Sequence, residues 1–361
     1  MLEAIKGARK SIELEQFILG YDQIGLMFLD ALKERARAGI KVRIFCDEVG
    51  SLSLARSGSA ASLFEAGIHI KFFNSIIPWS PNNEALWYFR DHKKLLIIDG
   101  RIGFTGGVCL GDEMRSWRES SVQIEGPIVA QMLESFEVMW HKRYHKFKYY
   151  IPKGFLQKIK STLQSEMGKK SKRPNHGIDN VDFQYLTSSP LPGKRYLYKE
   201  LVRAIQSAKH YIYLTTPYLL PDSKLMRNLG KAIKRGVIVK ILIPEKTNSR
   251  LVNIGAGTFF EDMLLHGIKI FRYEGEMIHA KTGVIDGYWS TIGSLNLDNL
   301  SLRYNFEGNI VSLDKSFAFE LEKQFLNDLK ISNELTLSDW RKRPLLQKIL
   351  EILIWPIRKL L

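Results

Sequence analysis

The chain has 361 residues, with a hydrophobic content of 45% and a charged content of 25%. That is the balance of a soluble globular protein with room for one large core or two ordinary ones. The net charge of +15, from 53 basic and 38 acidic residues, favours anionic partners, either lipid headgroups or nucleic acid. Two cysteines, Cys46 and Cys109, argue against a disulfide framework and fit a reducing compartment. No run of about eighteen apolar residues offers a membrane span. Residues 2–10 are too charged for a secretory signal.

In chain order, 2–10 predicts a helix and 11–19 a strand. A helix follows over 25–38, ended by Gly39, then a strand over 41–46, a helix over 52–66 closed by Gly67, and a strand over 68–73. This alternation argues for an α/β layer with a largely parallel sheet. The second half repeats the pattern 200 positions later. Ile5 and Ala8 match Ile205 and Ala208, 11–14 matches 211–214, and 67–70 matches 267–270. Further on the offset falls to 187, so the first copy carries 13 extra residues within 74–88. That insert is rich in aromatics and proline and reads as a lid, a substrate-facing loop or an ordinary surface loop. A helix is expected over 128–144. The basic, aperiodic stretch 146–180 reads as a linker.

The most informative stretch is 279–296, H-A-K-T-G-V-I-D-G-Y-W-S-T-I-G-S-L-N. It reads as a strand, a tight Asp286-Gly287 turn and a returning strand. Residues two apart on an extended segment share a face, so His279 and Lys281 point the same way. The hairpin brings them to one end with Ser294 and Asn296, a set that suits a phosphate. His92, Lys94 and Asp99 repeat His279, Lys281 and Asp286, and Gly106 and Gly107 repeat Gly293 and Ser294, all at the offset of 187. Neither half holds a complete constellation, which places one site at the interface of two homologous halves in a pseudo-twofold arrangement. A phosphodiester needs a nucleophile, an acid for the leaving oxygen and cations for the developing charge. Histidine serves either of the first two roles near neutral pH.

With its flanking stretches 89–94, 106–112, 216–222 and 293–298, the duplicated motif resembles the phospholipase D superfamily, and its bacterial cardiolipin synthase branch in particular. The resemblance covers nearly all of 1–335. It implies two phospholipase D-type α/β domains, with mixed, largely parallel sheets flanked by helices, over 1–145 and 181–335. The linker 146–180 joins them and the tail 336–361 follows. It implies a catalytic motif of His92, Lys94, Asp99, His279, Lys281 and Asp286. His92 becomes a phosphohistidine, His279 protonates the leaving group, and the two lysines hold the non-bridging oxygens. Asp99 and Asp286, at the hairpin turns, support the loop more than the reaction. Ser294, Asn296 and Gly107 are expected on the phosphate. Glu119 and Glu307 are expected to orient the histidines. No metal or other cofactor is expected. Cys109 departs from the family, which has asparagine there, as at Asn296; a thiol is a poor partner for phosphate.

The tail 340–361 combines an apolar surface, from Leu345 to Ile354, with flanking Arg341, Lys342, Arg343, Lys348, Arg358 and Lys359. It fits an interfacial helix on an anionic membrane, or else a helix packed on the body. The resulting expectation is a peripheral phosphatidyltransferase at the cytoplasmic face of the bacterial inner membrane, acting on phospholipids. The alternatives are a phospholipase D using water, a phosphodiesterase or nuclease, and a weakly active lipid-binding protein. The tail and the insert favour lipid over nucleic acid. One further expectation concerns an edge. The strand at 181–188 has no counterpart in the first half, so something should shield that position, whether an upstream segment, the linker or a second molecule; the alternative is a first sheet that ends one strand early with a charged or short edge.

Overall fold

A computed structural model of the chain describes residues 1–80, 83, 86–141, 182–191 and 194–358. The linker 146–180 lies outside the described residues. The first half opens with helix Leu2–Lys6 and strand β1 (Ser11–Gln16), then helix Gln23–Arg37 and β2 (Lys41–Asp47). Asp22 caps the second helix by accepting from the Gly25 amide. The helix expected over 52–66 is split into Leu52–Arg56 and Ala60–Glu65. Gly58 sits there at φ 73°, and the Ser57 hydroxyl is taken by the Leu54 carbonyl. Strand β3 (Ile68–Phe73) follows, then β4 (Arg90–Asp91), β5 (Leu95–Ile98), β6 (Ile102–Gly106), β7 (Ser121–Glu125) and helix Ile128–Trp140.

The second half runs β8 (Phe183–Ser188), helix Tyr196–Ser207, β9 (Tyr211–Thr215), β10 (Leu219–Leu220), helix Ser223–Lys234 and β11 (Ile238–Pro244). Helix Arg250–Leu265, β12 (Lys269–Tyr273), β13 (Thr282–Ile285), β14 (Trp289–Gly293) and β15 (Leu297–Asp298) come next. Helix Asn299–Arg303, β16 (Asn305–Ser312), helix Lys315–Leu329 and β17 (Ser332–Leu335) complete it. Asp222 caps its helix through the Leu225 amide, repeating Asp22 at the offset of 200.

The sheets are mixed and flanked by helices. The first has the order β3-β2-β1-β5-β6-β7. Its parallel pairing is confined to β1, β2 and β3, joined through helices, whereas β5, β6 and β7 run antiparallel. Helical crossovers permit parallel neighbours, and the tight hairpin turn between β5 and β6 forces antiparallel ones. The second sheet repeats this as β12-β11-β9-β13-β14-β16 and adds β17 beside β12 and β8 beside β16.

The expected missing strand can now be located. β1 is paired on both sides, by β2 and β5. The open edge is β7: β6 lies on one side and no strand on the other among the described residues. Its counterpart β16 has β14 on one side and β8 on the other. Exposed Ser121, Gln123 and Glu125 give β7 a polar edge, one of the usual ways of discouraging edge-to-edge pairing.

Each half has its own apolar core, and a third cluster joins them. It unites Phe45, Phe73, Phe89 and Phe136 with Tyr185, Val284, Phe306 and Ile310. Buried Trp340 belongs to the second core, 5.1 Å from Phe260, so that fold extends past 335 into the expected tail.

Asp99 and Asp286, grouped with the catalytic residues in the motif, serve the turns instead. Each lies at positive φ, 56° and 53°, ahead of Gly100 at 64° and Gly287 at 68°. Two successive positive φ values are those of a type I′ hairpin turn, which Asp-Gly favours. The Asp99 carboxylate accepts from the amides of Arg9, Lys10 and Ser11, the Lys10 bond at 2.6 Å. Asp286 does the same for Lys209, His210 and Tyr211 at 2.8–2.9 Å. Each carboxylate therefore ties a hairpin to the start of the strand beside it, β1 or β9. Asp99→Ala and Asp286→Ala should each lower unfolding free energy by about 1–3 kcal/mol, the cost of losing charge-assisted bonds. Urea unfolding measures it, and an unchanged midpoint would remove this role.

Candidate active site

The two histidine strands meet at the seam between the halves. The His92 amide donates to the Phe306 carbonyl at 2.9 Å, and the His279 amide to the Arg118 carbonyl at 2.9 Å. Each histidine is thus anchored to the strand segment of the opposite half. The same strands supply the carboxylates, and the pairing crosses. Nδ1 of His92 contacts Glu307 at 3.0 and 3.1 Å, and Nδ1 of His279 contacts Glu119. A carboxylate on Nδ1 fixes the tautomer with the proton there and leaves Nε2 free to react.

Alternation along the strand sorts the first motif into two faces. His92 and Lys94 face the site. Lys93, one position between them, is fully buried in the body, 2.5 Å from Glu15 and 3.9 Å from Asp91. Lys94 and Lys281 are also buried, and neither forms a salt bridge among the described residues. Their ammonium groups donate to the carbonyls of His92 and His279, two residues back, at 2.6 Å for Lys94. Two buried cations without carboxylate partners, beside two imidazoles, suit a phosphate diester.

The electrostatics follow from burial. Burial pushes His92 toward its neutral form; Glu307 opposes this and Lys94 and Lys281 reinforce it. Burial pushes His279 well below the ordinary histidine range, and Lys281, Lys94 and His92 add to the effect. Lys281 is brought down to about 8, chiefly by burial, with Lys94 acting in the same direction and Glu119 opposing. Burial raises Glu119, against the pull of both lysines. A bound phosphodiester anion would favour protonation of the groups it faces.

The residues expected on the phosphate are placed unequally. The Ser294 hydroxyl donates to Glu307 and accepts from the Gly308 amide at 3.0 Å, so it braces the carboxylate behind His92. Gly107, its counterpart, donates its amide to the Ser120 carbonyl at 2.9 Å. A Cβ there would lie 2.1 Å from Glu119 Oε2, so glycine makes room for that carboxylate. Neither group is therefore on offer to a phosphate. Asn296 keeps a buried side-chain oxygen without a partner. Cys109, at the matching position, is buried, and burial raises its thiol.

Some of the site escaped the motif. Phe17 packs edge-on to His92 at 4.9 Å and lies 5.3 Å from the Lys94 ammonium. Trp117 stands 5.0 Å and Tyr218 6.2 Å from the His279 ring. Asn309 shapes the 293–296 loop by accepting from the Ser294 and Leu295 amides at 3.0 and 3.1 Å. The available signal was repetition, since Phe17 and Tyr218 follow the equivalent strands β1 and β9.

Comparison with known proteins agrees with this geometry. A family model described as cardiolipin synthase, PLD-like domain, matches residues 1–140 and 201–329. The major cardiolipin synthase of Bacillus subtilis is 33% identical, over 97% of this chain and 70% of its own. Cardiolipin synthase A of Pseudomonas fluorescens is 30% identical, also over 97% and 70%. Among solved structures, the phosphatidylserine synthase of Haemophilus influenzae superposes with a TM-score of 0.70 at 14% identity, over 99% of this chain and 90% of that one. The polyphosphate kinase of Porphyromonas gingivalis gives 0.59 at 13% identity, over 100% and 51%. At those identities the two structures speak for the fold alone. With more than half of its length matched by the family model and a 33% identical relative covered over 70% of its length, the chain belongs to the cardiolipin synthase family of the phospholipase D superfamily.

Proposed function

We propose that this phosphatidyltransferase of the cardiolipin synthase type moves a phosphatidyl group from one phospholipid to a hydroxyl of another through phosphohistidine on His92. The crossed pairing of two histidines with carboxylates of the opposite halves, beside two unpaired buried lysines, carries the reading. Nε2 of His92 attacks phosphorus, the bond to the donor's alcohol breaks, and His279 as imidazolium gives that oxygen its proton. The acceptor hydroxyl then attacks phosphorus while neutral His279 takes its proton, and the P–N bond breaks. Lys94 and Lys281 hold the non-bridging oxygens throughout. The assignment of His92 as nucleophile gains support from Glu307, which is fully buried and braced by Ser294; no side chain at Gly107 braces Glu119 in the same way. A nucleophile benefits from fixed geometry, whereas a group that passes a proton to two different oxygens benefits from latitude.

The substrates place the protein at a membrane. No helix among the described residues is long and apolar enough to cross one. Helix Leu345–Ile354 packs on Arg250–Leu265 through Glu351 and Ile354, with Arg343 paired to Glu351 at 2.7 Å. Its other face leaves Leu345, Leu346, Ile349, Ile352 and Leu353 exposed, with Trp355 beyond. The helix thus docks on the body through one face and presents an apolar surface on the other. Flanked by basic residues, that surface suits the anionic cytoplasmic leaflet of a bacterial inner membrane. It favours lipid over nucleic acid as the partner.

His92→Ala and His279→Ala should each lower transfer by roughly 10²–10⁴-fold. Peptide mapping by mass spectrometry of wild-type protein, quenched after mixing with phospholipid, should find the phosphatidyl adduct on His92; an adduct on His279 would reverse the two roles. As pH rises through about 8, Lys281 loses its proton and its hold on the phosphate, so kcat/KM should fall there. A profile flat to well above that value would remove Lys281 as the charge. Leu346→Ser with Leu353→Ser, both 68% exposed and outside the packing, should weaken sedimentation with anionic vesicles by about tenfold or more while leaving the fold intact. Unchanged sedimentation would rule out the tail as an anchor.

A further inference from the structure

Among its described residues, the insert 74–88 is apolar where it is exposed and tied down where it meets the body. Buried Asn74, at φ 40°, donates its side-chain amide to the carbonyls of Leu86 at 3.1 Å and Phe89 at 3.2 Å. Arg90 donates to the Asn74 carbonyl at 2.8 Å, to Asp47 at 3.2 Å and to the Trp87 carbonyl. The Tyr88 ring packs on Phe89 at 4.9 Å and on Tyr304, from the other half, at 6.0 Å. The two ends of the loop are therefore fastened to each other and to both halves. Yet Ile76, Ile77, Trp79, Leu86, Trp87 and Tyr88 are all exposed, Trp79 at 84%.

So many large apolar side chains on one short loop cost free energy in water, and the pinned base keeps them from folding back onto the core. Tryptophan, tyrosine and isoleucine are the types that settle at the boundary between headgroups and acyl chains. The loop ends at Tyr88, which packs on Tyr304, and β4 leads from there to His92 beside Phe306, which places the patch near the catalytic seam. No equivalent exists in the second half, so the device belongs to one side of the site only.

We propose that 74–88 is a membrane-seating loop: its apolar side chains enter the interface of an anionic phospholipid bilayer and hold the His92 side of the seam against the headgroups. A lipid phosphate then reaches His92 with its acyl chains still in the bilayer. The net charge of +15 supplies the long-range attraction, and the loop supplies the short-range hold. This rests on the phosphatidyl-transfer reading.

The test uses the full chain and an Ile76→Ser, Ile77→Ser, Trp79→Ser variant, with two substrates. One is phosphatidylglycerol in vesicles; the other is dihexanoyl phosphatidylglycerol as monomers. The variant should lose about tenfold or more on vesicles and keep its rate on monomers. Equal loss on both, or loss on neither, overturns the proposal. A wild-type protein inactive on both would count against phosphatidyl transfer, and insertion is then read alone. Vesicles brominated in the acyl chains should quench wild-type tryptophan emission more than that of Trp79→Phe, and equal quenching overturns insertion.

Discussion

The site depends on one arrangement, a histidine from each half held by a carboxylate of the other. Were each imidazole paired within its own half, either half could assemble a working residue alone. The crossing makes the seam itself the catalytic element. Two imidazoles, two ammonium groups and two carboxylates are withdrawn from water there, at an effective cost of several kcal/mol for each charge. The apolar cluster of Phe45, Phe73, Phe136, Phe306 and Ile310 offsets that cost, at roughly 1.5–3 kcal/mol for each large side chain buried. Chemistry and association of the halves are therefore a single problem in this fold. The backbone bonds from His92 to Phe306 and from His279 to Arg118 fix the register in which it is solved.

Around this axis the framework is close to symmetric and the chemistry is not. The capping Asp22 and Asp222, the turn carboxylates Asp99 and Asp286 and the two lysines recur in matching roles. Symmetry breaks at the carboxylates. Ser294 locks Glu307, whereas Gly107 yields its space to Glu119. It breaks again at the rim, where only the first half carries the apolar insert. The proposed two-step transfer gives the two histidines different roles, and these small changes behind the rings would separate them.

The sequence was most legible where a pattern had only one structural meaning. Two H-x-K motifs at a single offset pointed to a shared site, and the fold brings both to one seam; Asp-Gly demanded a tight hairpin turn, and both turns are formed. Roles that depend on contacts between distant segments were less legible. Nothing in the spacing of Glu119 and Glu307 says that each serves the other half's histidine, because that follows from how the seam closes. Ser294 and Gly107 looked like phosphate ligands because they stand beside the motif; contacts to Glu307 and Ser120 claim them instead. The split of the 52–66 helix turned on the local geometry at Gly58. Trp340 resembled the start of an amphipathic tail, and only packing on Phe260 shows it to be core.

Cys109 shows how unevenly a phosphate would be gripped. Burial raises its thiol, so it stays neutral and adds neither charge nor a strong donor to the first half's side of the pocket. On the second half's side, Asn296 keeps an unpartnered oxygen, while its amide group donates to the Asp298 carboxylate. The net worth of one neutral hydrogen bond is only about 0.5–1.5 kcal/mol, while a charge-assisted bond is worth roughly twice as much. Two lysines therefore dominate the hold on the anion, and the loss of one amide at 109 leaves that hold largely intact. What differs between the two sides is therefore a neutral amide side chain at 296 against a thiol at 109, a small asymmetry beside two ammonium groups.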